Sequence, residues 1–320
     1  MIVTKVPLRI SLAGGGTDLP SYYVDRGVGE TVSFAINKYI YITSSDYYDT
    51  RKTNFKYSEV ETVECLDHFK NPIVRQVLKL FSVPHGLQFA SLSSVPGGTG
   101  LGSSSAFCVG LVSNVAKRMG RDLSQYEAAE IACHVELELL KEPIGKQDQF
   151  GCALGGMKHL TFTKSGVFSE GLLLSKDMEV DFSTRLALVR VGGVRSASQI
   201  LSEIQKENSV NLSKLDDIRS LVPKVKSALL NGDIEFIGES LHKNWIIKKS
   251  LDKNMTDENI DYIYEKMVPK MAFGGKLLGA GGSGFLLFIL KQPVDETVFP
   301  LDVIVSNIEI DKAGVVSVSV

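Results

Sequence analysis

Chemistry concentrates first in the segment Pro96-Gly97-Gly98-Thr99-Gly100-Leu101-Gly102-Ser103-Ser104-Ser105-Ala106. Its glycines let several backbone N–H groups converge, and a helix beginning at Ser103 adds unpaired amides and the positive end of its dipole. A turn of this kind cradles a phosphate. It is not the common P-loop, because no lysine follows the glycines. A hydroxyl at the helix start, Ser104 by preference, suits a Mg²⁺ ion bridging phosphate oxygens. The plain alternative is a glycine-rich turn capped by Ser103.

A second tract, Gly279-Ala280-Gly281-Gly282-Ser283-Gly284, enters an apolar run and permits close backbone approach to a ligand, though alone it reads only as a turn. Two carboxylates stand in polar surroundings: Asp18 after Gly14-Gly15-Gly16-Thr17, and Asp148 within Gly145-Lys146-Gln147-Asp148-Gln149. On residue type alone, Asp18 serves equally as an Asx-type turn before Leu19-Pro20, and Asp148 as a solvated loop residue. The five histidines form no ligand pair at helical spacing, so no zinc site is expected.

These residues need elements to position them. Leu8, Ile10 and Leu12 alternate with Arg9 and Ser11, the period of a strand with one buried face. Thr31 to Ser44 and Leu87 to Ser94 read as further strands, and Ser103 to Arg118 as a helix, so the glycine segment lies in a strand–loop–helix unit. Ser124 and Glu127 form a capping box for a helix running to about Leu140. Gly145 to Gly156 reads as irregular and Met157 to Phe162 as a strand. Residues 1–180 and 181–320 are expected to form two domains. The second carries a strand at Arg185 to Val191, amphipathic helices from Ser196 to Val268 and the apolar run Phe285 to Leu290, with a ligand cleft between the two domains.

With 44% hydrophobic and 22% charged residues over 320 positions, the chain can bury an ample core. A formal charge of −2 offers no global attraction for nucleic acid or an anionic membrane, so any anion must be held locally. Four scattered cysteines without a C-x-x-C pair read as reduced thiols. The N-terminus enters a strand pattern without a secretory signal, and no apolar run is long enough to span a bilayer. A cytoplasmic protein is expected.

The glycine-serine segment resembles the ATP-binding signature of the GHMP kinases, the superfamily of galacto-, homoserine, mevalonate and phosphomevalonate kinases. Arg9-Ile10-Ser11-Leu12-Ala13-Gly14-Gly15-Gly16-Thr17-Asp18 resembles the substrate motif of its sugar-1-kinases, and Gly279 to Gly284 its C-terminal glycine motif, with Ser283 at the usual fourth glycine. The resemblance implies an α+β, two-domain fold: an N-terminal domain of a type found in ribosomal proteins and a C-terminal ferredoxin-like α/β sandwich. It implies an enzyme using ATP and Mg²⁺, with Pro96 to Ser105 on the nucleotide. Asp148 becomes the acceptor of the hydroxyl proton, with Arg9 beside it. Gly14 to Gly16, Thr17, Asp18, Gly281 and Gly282 face the sugar, and Ser104 with Glu136, or Glu138, holds the metal.

Galactokinases of the family carry Glu-His where Gly15-Gly16 stand here, which argues against galactose. The glycine-rich version, with Gly192-Gly193-Val194-Arg195, Trp245 followed by Lys248-Lys249, and Gly274-Gly275-Lys276, is similar to the heptose 7-phosphate kinase branch. That resemblance implies phosphorylation of the anomeric hydroxyl of D-glycero-D-manno-heptose 7-phosphate, for nucleotide-activated heptose. Arg195, with Lys146 and Lys249 as further candidates, is the expected clamp for the sugar's phosphate. The alternatives are another sugar-1-kinase of fucose, galactose or octose type, or a silent sugar or nucleotide sensor. A small-molecule partner is expected, with homodimer formation left open.

Overall fold

The computed structural model describes residues 1–191, 208–295, 304–305 and 307–320. The first sheet is built from β1 (Ile2–Ala13), β2 (Gly29–Asp46), β3 (Thr53–Lys56), β4 (Val60–Val63), β5 (Leu87–Ser93), β6 (Met157–Thr163) and β7 (Gly166–Gly171). β1 and β2 run antiparallel at its centre, with Arg9 opposite Ala35 and Ser11 opposite Ser33. A second, antiparallel sheet holds β8 (Leu186–Val191), β9 (Ala272–Leu277), β10 (Gly284–Leu290) and β11 (Ile304–Val305) in the order β11-β8-β10-β9. The last strand, β12 (Val316–Ser319), returns to the first sheet and pairs with β1.

The helices are α1 (Pro20–Arg26), α2 (Pro72–Leu80), α3 (Ser103–Arg118), α4 (Gln125–Cys133), α5 (Gln147–Ala153), α6 (Lys176–Thr184), α7 (Asn208–Ser220), α8 (Val222–Asn231), α9 (Ile234–Lys249) and α10 (Glu258–Met267). α3 and α5 pack on β1, and α9 packs on β9. The architecture is α+β, as the sequence implies.

Three sequence expectations change. Gly145 to Gly156 is not irregular: α5 occupies its middle and buries Phe150, Cys152 and Ala153 against α3, α4 and β1. The helix from Ser124 does not stay α-helical to Leu140, because His134–Leu139 forms a π-helical turn after α4. The alternation in β1 marks a strand, yet Arg9 and Ser11 are as buried as Leu8 and Ile10, being 3% and 7% exposed. The polar face of β1 is therefore the floor of a cavity, where apolar packing would leave its charges unsatisfied.

All four cysteines are unpaired, Cys65 exposed and the other three buried. Among the described residues no helix is long and apolar enough to cross a membrane.

Candidate active site

The cavity above β1 is lined from both sheets, by Arg9, Ser11, Gly15, Gly16 and Asp18 on one side and by Lys276, Gly279, Gly281 and Ser283 on the other. Between them lie Gly98, Gly100, Gly102, Ser103 and Ser104 at the start of α3, and Gln147 and Asp148 at the start of α5. Asn244 and Lys248 reach it from α9.

The start of α3 is built to stay open. Gly102 takes the left-handed conformation at φ 75°, and no side chain caps the helix. The first-turn amides therefore face the cavity with the positive end of the helix dipole behind them. The plain alternative, a turn capped by Ser103, does not form. The loop is held from below: the backbone N–H of Arg9 donates to the Leu101 carbonyl at 3.1 Å, and Arg9 Nη1 to the Gly100 carbonyl at 2.7 Å. The two glycine tracts interlock, since a Cβ on Gly100 would stand 2.6 Å from the Leu278 carbonyl and one on Gly279 2.5 Å from Gly100 Cα. Only glycine fits there.

Asp148 lies in the first turn of α5, where the helix N-terminus favours an anion. Arg9, 3% exposed, donates to its Oδ1 twice, from Nε at 2.9 Å and Nη2 at 2.6 Å. Both bonds fall on one oxygen. Among the described residues nothing bonds Oδ2, and the side chain keeps 29% of its exposure. A carboxylate fixed through one oxygen and free at the other is a positioned proton acceptor.

Asp18 is 2% exposed and accepts from Gly16 N at 3.0 Å, Gln147 N at 3.1 Å and Gln147 Nε2 at 3.2 Å. Three of its roughly four acceptor positions are thus filled within the chain. Burial, with Asp148 adding its charge, pushes the Asp18 carboxyl up to about 6. A Cβ on Gly145 would lie 1.8 Å from Asp18 Oδ2, so glycine at 145 lets the two loops touch. Ser11 Oγ and Gln147 Oε1 line the same floor without hydrogen-bond partners.

Glu136, in the π-helical turn, is 2% exposed and receives Gln149 Nε2 at 2.7 Å. Burial pushes its carboxyl up to about 7 against the pull of the Gln149 hydrogen bond. Glu138 instead lies at the surface, paired with His134 at 2.7 Å. A hydroxyl at Ser104 and a carboxylate at Glu136 are hard oxygen donors of the kind Mg²⁺ takes beside phosphate oxygens, but of the two only Ser104 lines the cavity and Glu136 is buried outside its lining.

Of the other expected residues, Pro96 and Gly97 are exposed outside the cavity lining, while Thr99, Leu101 and Ser105 are buried beneath it. Gly14 and Thr17 shape the loop from behind: Thr17 Oγ1 donates to the Gly14 and Glu30 carbonyls, each at 2.8 Å. Gly281 faces the cavity, and Gly282 N donates to the Met255 carbonyl at 2.9 Å. Lys249 pairs with Asp261 at 2.7 Å, and Lys146 lies 5.9 Å from the Tyr23 ring. Arg195 lies outside the described residues. The sequence reading missed Gln147 and Asn244 as cavity residues, and named Lys248 and Lys276 only as parts of a resemblance; Gln147 adjoins Asp148 in a quoted motif, and that adjacency was the available signal.

Comparison with known proteins agrees with this geometry. Residues 66–156 match the model of the GHMP kinases N terminal domain. The chain is 30% identical to the D-glycero-alpha-D-manno-heptose 7-phosphate kinase of Campylobacter jejuni, over 90% of this chain and 89% of that one. It is 24% identical to the galactokinase of Pyrococcus furiosus, over 93% and 91%. A crystal structure of a D-glycero-D-manno-heptose 1-phosphate kinase from Bacteroides thetaiotaomicron superposes with a TM-score of 0.80 at 20% identity, covering 100% of this chain and 99% of that one. An uncapped, glycine-lined helix start, an arginine-clamped carboxylate in the same cavity and a relative matched over nearly its whole length lead to one conclusion: the chain belongs to the GHMP kinases, ATP-dependent phosphotransferases with an alcohol group as acceptor.

Proposed function

We propose that this chain phosphorylates the anomeric hydroxyl of D-glycero-D-manno-heptose 7-phosphate, giving the 1,7-bisphosphate and ADP. The carrying observation is the Asp148 carboxylate, held by Arg9 through Oδ1 and free at Oδ2, in one cavity with the uncapped start of α3. The terminal phosphate of ATP is held by amides of Gly98 to Ser104. The sugar lies on Gly15, Gly16 and Asp18, where Ser11 Oγ and Gln147 Oε1 offer hydrogen bonds to hydroxyls. As the hydroxyl oxygen bonds to the γ-phosphorus, the bond from that phosphorus to the bridging oxygen breaks, and Asp148 Oδ2 takes the proton. Arg9 keeps the carboxylate oriented and offsets its charge.

Ser104 and Glu136 would hold Mg²⁺, which when bound neutralises charge on the phosphate oxygens. At Gly15 a Cβ would meet its nearest neighbour, Gln147 Nε2, only at 3.6 Å, so a bulkier side chain there would take cavity space that an acceptor larger than a hexose can use. The identity of the Campylobacter relative supports the same substrate.

A coupled ADP-release screen over hexoses, heptose and heptose 7-phosphate, with the product identified by phosphorus NMR, tests the reading. Heptose 7-phosphate is expected to give the highest kcat/KM and an anomeric phosphate. Preference for an unphosphorylated hexose would assign the chain to another sugar-1-kinase.

A further inference from the structure

Lys248 and Lys276 line the cavity and, among the described residues, hydrogen-bond only to backbone carbonyls. Lys248, in the last turn of α9, donates to the Leu277 carbonyl at 3.1 Å and to the Gly279 carbonyl. Lys276, 4% exposed on β9, donates to the Leu12 carbonyl at 3.2 Å. Among the described residues no carboxylate contributes to the environment of either ammonium; the charges felt are Arg9 and, for Lys276, Lys248. The adjacent Lys249 is paired with Asp261, so a counter-ion is missing specifically on the cavity side. Arg9 has its carboxylate partner in Asp148, whereas among the described residues neither lysine has one.

Burial pushes Lys248 down to about 7, with Arg9 adding repulsion, and pushes Lys276 well below its ordinary range. Two ammonium charges buried without an anion are costly, so burial favours the neutral amines, and a bound anion would restore the charged forms. Asn244, one turn before Lys248 on the same face of α9, lines the cavity 2% exposed with its amide nitrogen unpartnered.

We propose that Lys248 and Lys276, with Asn244 beside them, form a phosphate-binding subsite of the cavity, distinct from the amide cradle at the start of α3. A phosphate dianion supplies the two negative charges that the lysines lack, and lysine serves such a group as a point charge. Two sources carry this chemistry: a phosphate ester on the sugar, and the phosphoryl group being transferred. The inference rests on the proposed substrate only for the first of these.

Calorimetric titration of the full chain separates the sources. The probes are heptose 7-phosphate, unphosphorylated heptose, AMP-PNP and ADP, each against wild type, Lys248→Met and Lys276→Met. If the subsite holds the ester, both variants bind heptose 7-phosphate at least about tenfold more weakly, a 1.4 kcal/mol change, with heptose and AMP-PNP nearly unchanged. If it holds the transferred group, AMP-PNP weakens by a similar factor and ADP does not. Lys248→Arg should recover part of either loss, which a packing role would not require.

The inference is overturned if all four probes bind the variants as they bind wild type, or if all weaken together. Methionine matches the lysine stem in volume, and melting curves establish that each variant is folded. Should Lys276→Met not fold after losing its bond to Leu12, Lys248→Met and Lys248→Gln carry the same test. A wild type that binds AMP-PNP but no sugar phosphate would remove the proposed substrate while leaving the nucleotide arm to decide the subsite.

Discussion

Helices α3 and α4 follow one another in the chain and begin in opposite ways. α4 completes itself: Ser124 Oγ accepts from Glu127 N at 3.2 Å, and Glu127 Oε2 accepts from Ser124 N at 2.7 Å. α3 begins at Gly102 with no side-chain cap, although three serines fill its first turn. Both carry the same dipole, and they differ in what satisfies their amides. A self-capped start adds stability and binds nothing; an open one gives up that stability and waits for an anion. The serine-rich sequence alone does not separate these outcomes, because it is Gly102 that turns the chain away from a cap.

The comparison can be broken most severely at Asp148, which sits at a third helix start and lines the same cavity as the start of α3. Asp148→Asn keeps an oxygen for Arg9 but removes the proton acceptor, so kcat should fall on the order of 10³-fold, within the usual span for a lost general base. Its melting temperature should stay above that of Asp148→Ala, which leaves Arg9 buried without a partner. Near-normal turnover in Asp148→Asn would remove this residue from the mechanism.

Converting α3 into a self-capped helix is the next test. Gly102→Asp places a carboxylate where the phosphate belongs and a Cβ 3.2 Å from Arg9 Cγ and from Cys152 Sγ. The KM for ATP should rise on the order of 100-fold, the scale of a lost charge-assisted hydrogen bond. An unchanged KM, measured by initial rates, would mean that α3 does not hold the nucleotide.

Asp18 sharpens the contrast through pH. Its folded value is raised to about 6 from an ordinary 3.8, so the fold favours its neutral form. That contribution to stability is fully present below about pH 4 and is lost as pH rises to about 6, because the folded state holds the proton that the unfolded state has released. The melting-temperature difference between wild type and Asp18→Asn should therefore fall across pH 4 to 6 and level off above it. Asp18→Asn should also raise the sugar KM at neutral pH, and a pH-independent difference would contradict the buried setting. The smallest effect belongs to the self-capped helix: Ser124→Ala should cost about 1 kcal/mol by chemical denaturation. Its kinetic constants should not move.

Much of this was legible in the residues. The boundaries of α3 follow from the glycines before it and the apolar run within it, and the Ser124 capping box is local chemistry that tertiary packing left intact. α5 was missed because seven residues with three apolar side chains interrupted by Gly151 carry no measurable helical period; packing against α3, α4 and β1 makes the helix. The π-helical turn that buries Glu136 and leaves Glu138 in solvent is likewise a tertiary outcome.

Arg9 and Ser11 illustrate how a binary pattern misleads at a site. Their alternation with Leu8 and Ile10 predicts a solvated face, but the two sheets close a cavity over it. Lys248 and Lys249 are alike in sequence, and only the turn of α9 sends one to Asp261 and the other to the cavity.

Hydrogen exchange of the two helix starts, followed by mass spectrometry with and without saturating AMP-PNP, tests the central claim most directly. Peptides covering Gly98 to Ala106 should exchange at least about tenfold more slowly with the nucleotide bound, while those covering Leu123 to Ala128 should not change. Unaltered exchange at Gly98 to Ala106, with nucleotide binding verified by calorimetry, would contradict the assignment of that open helix start to the phosphate.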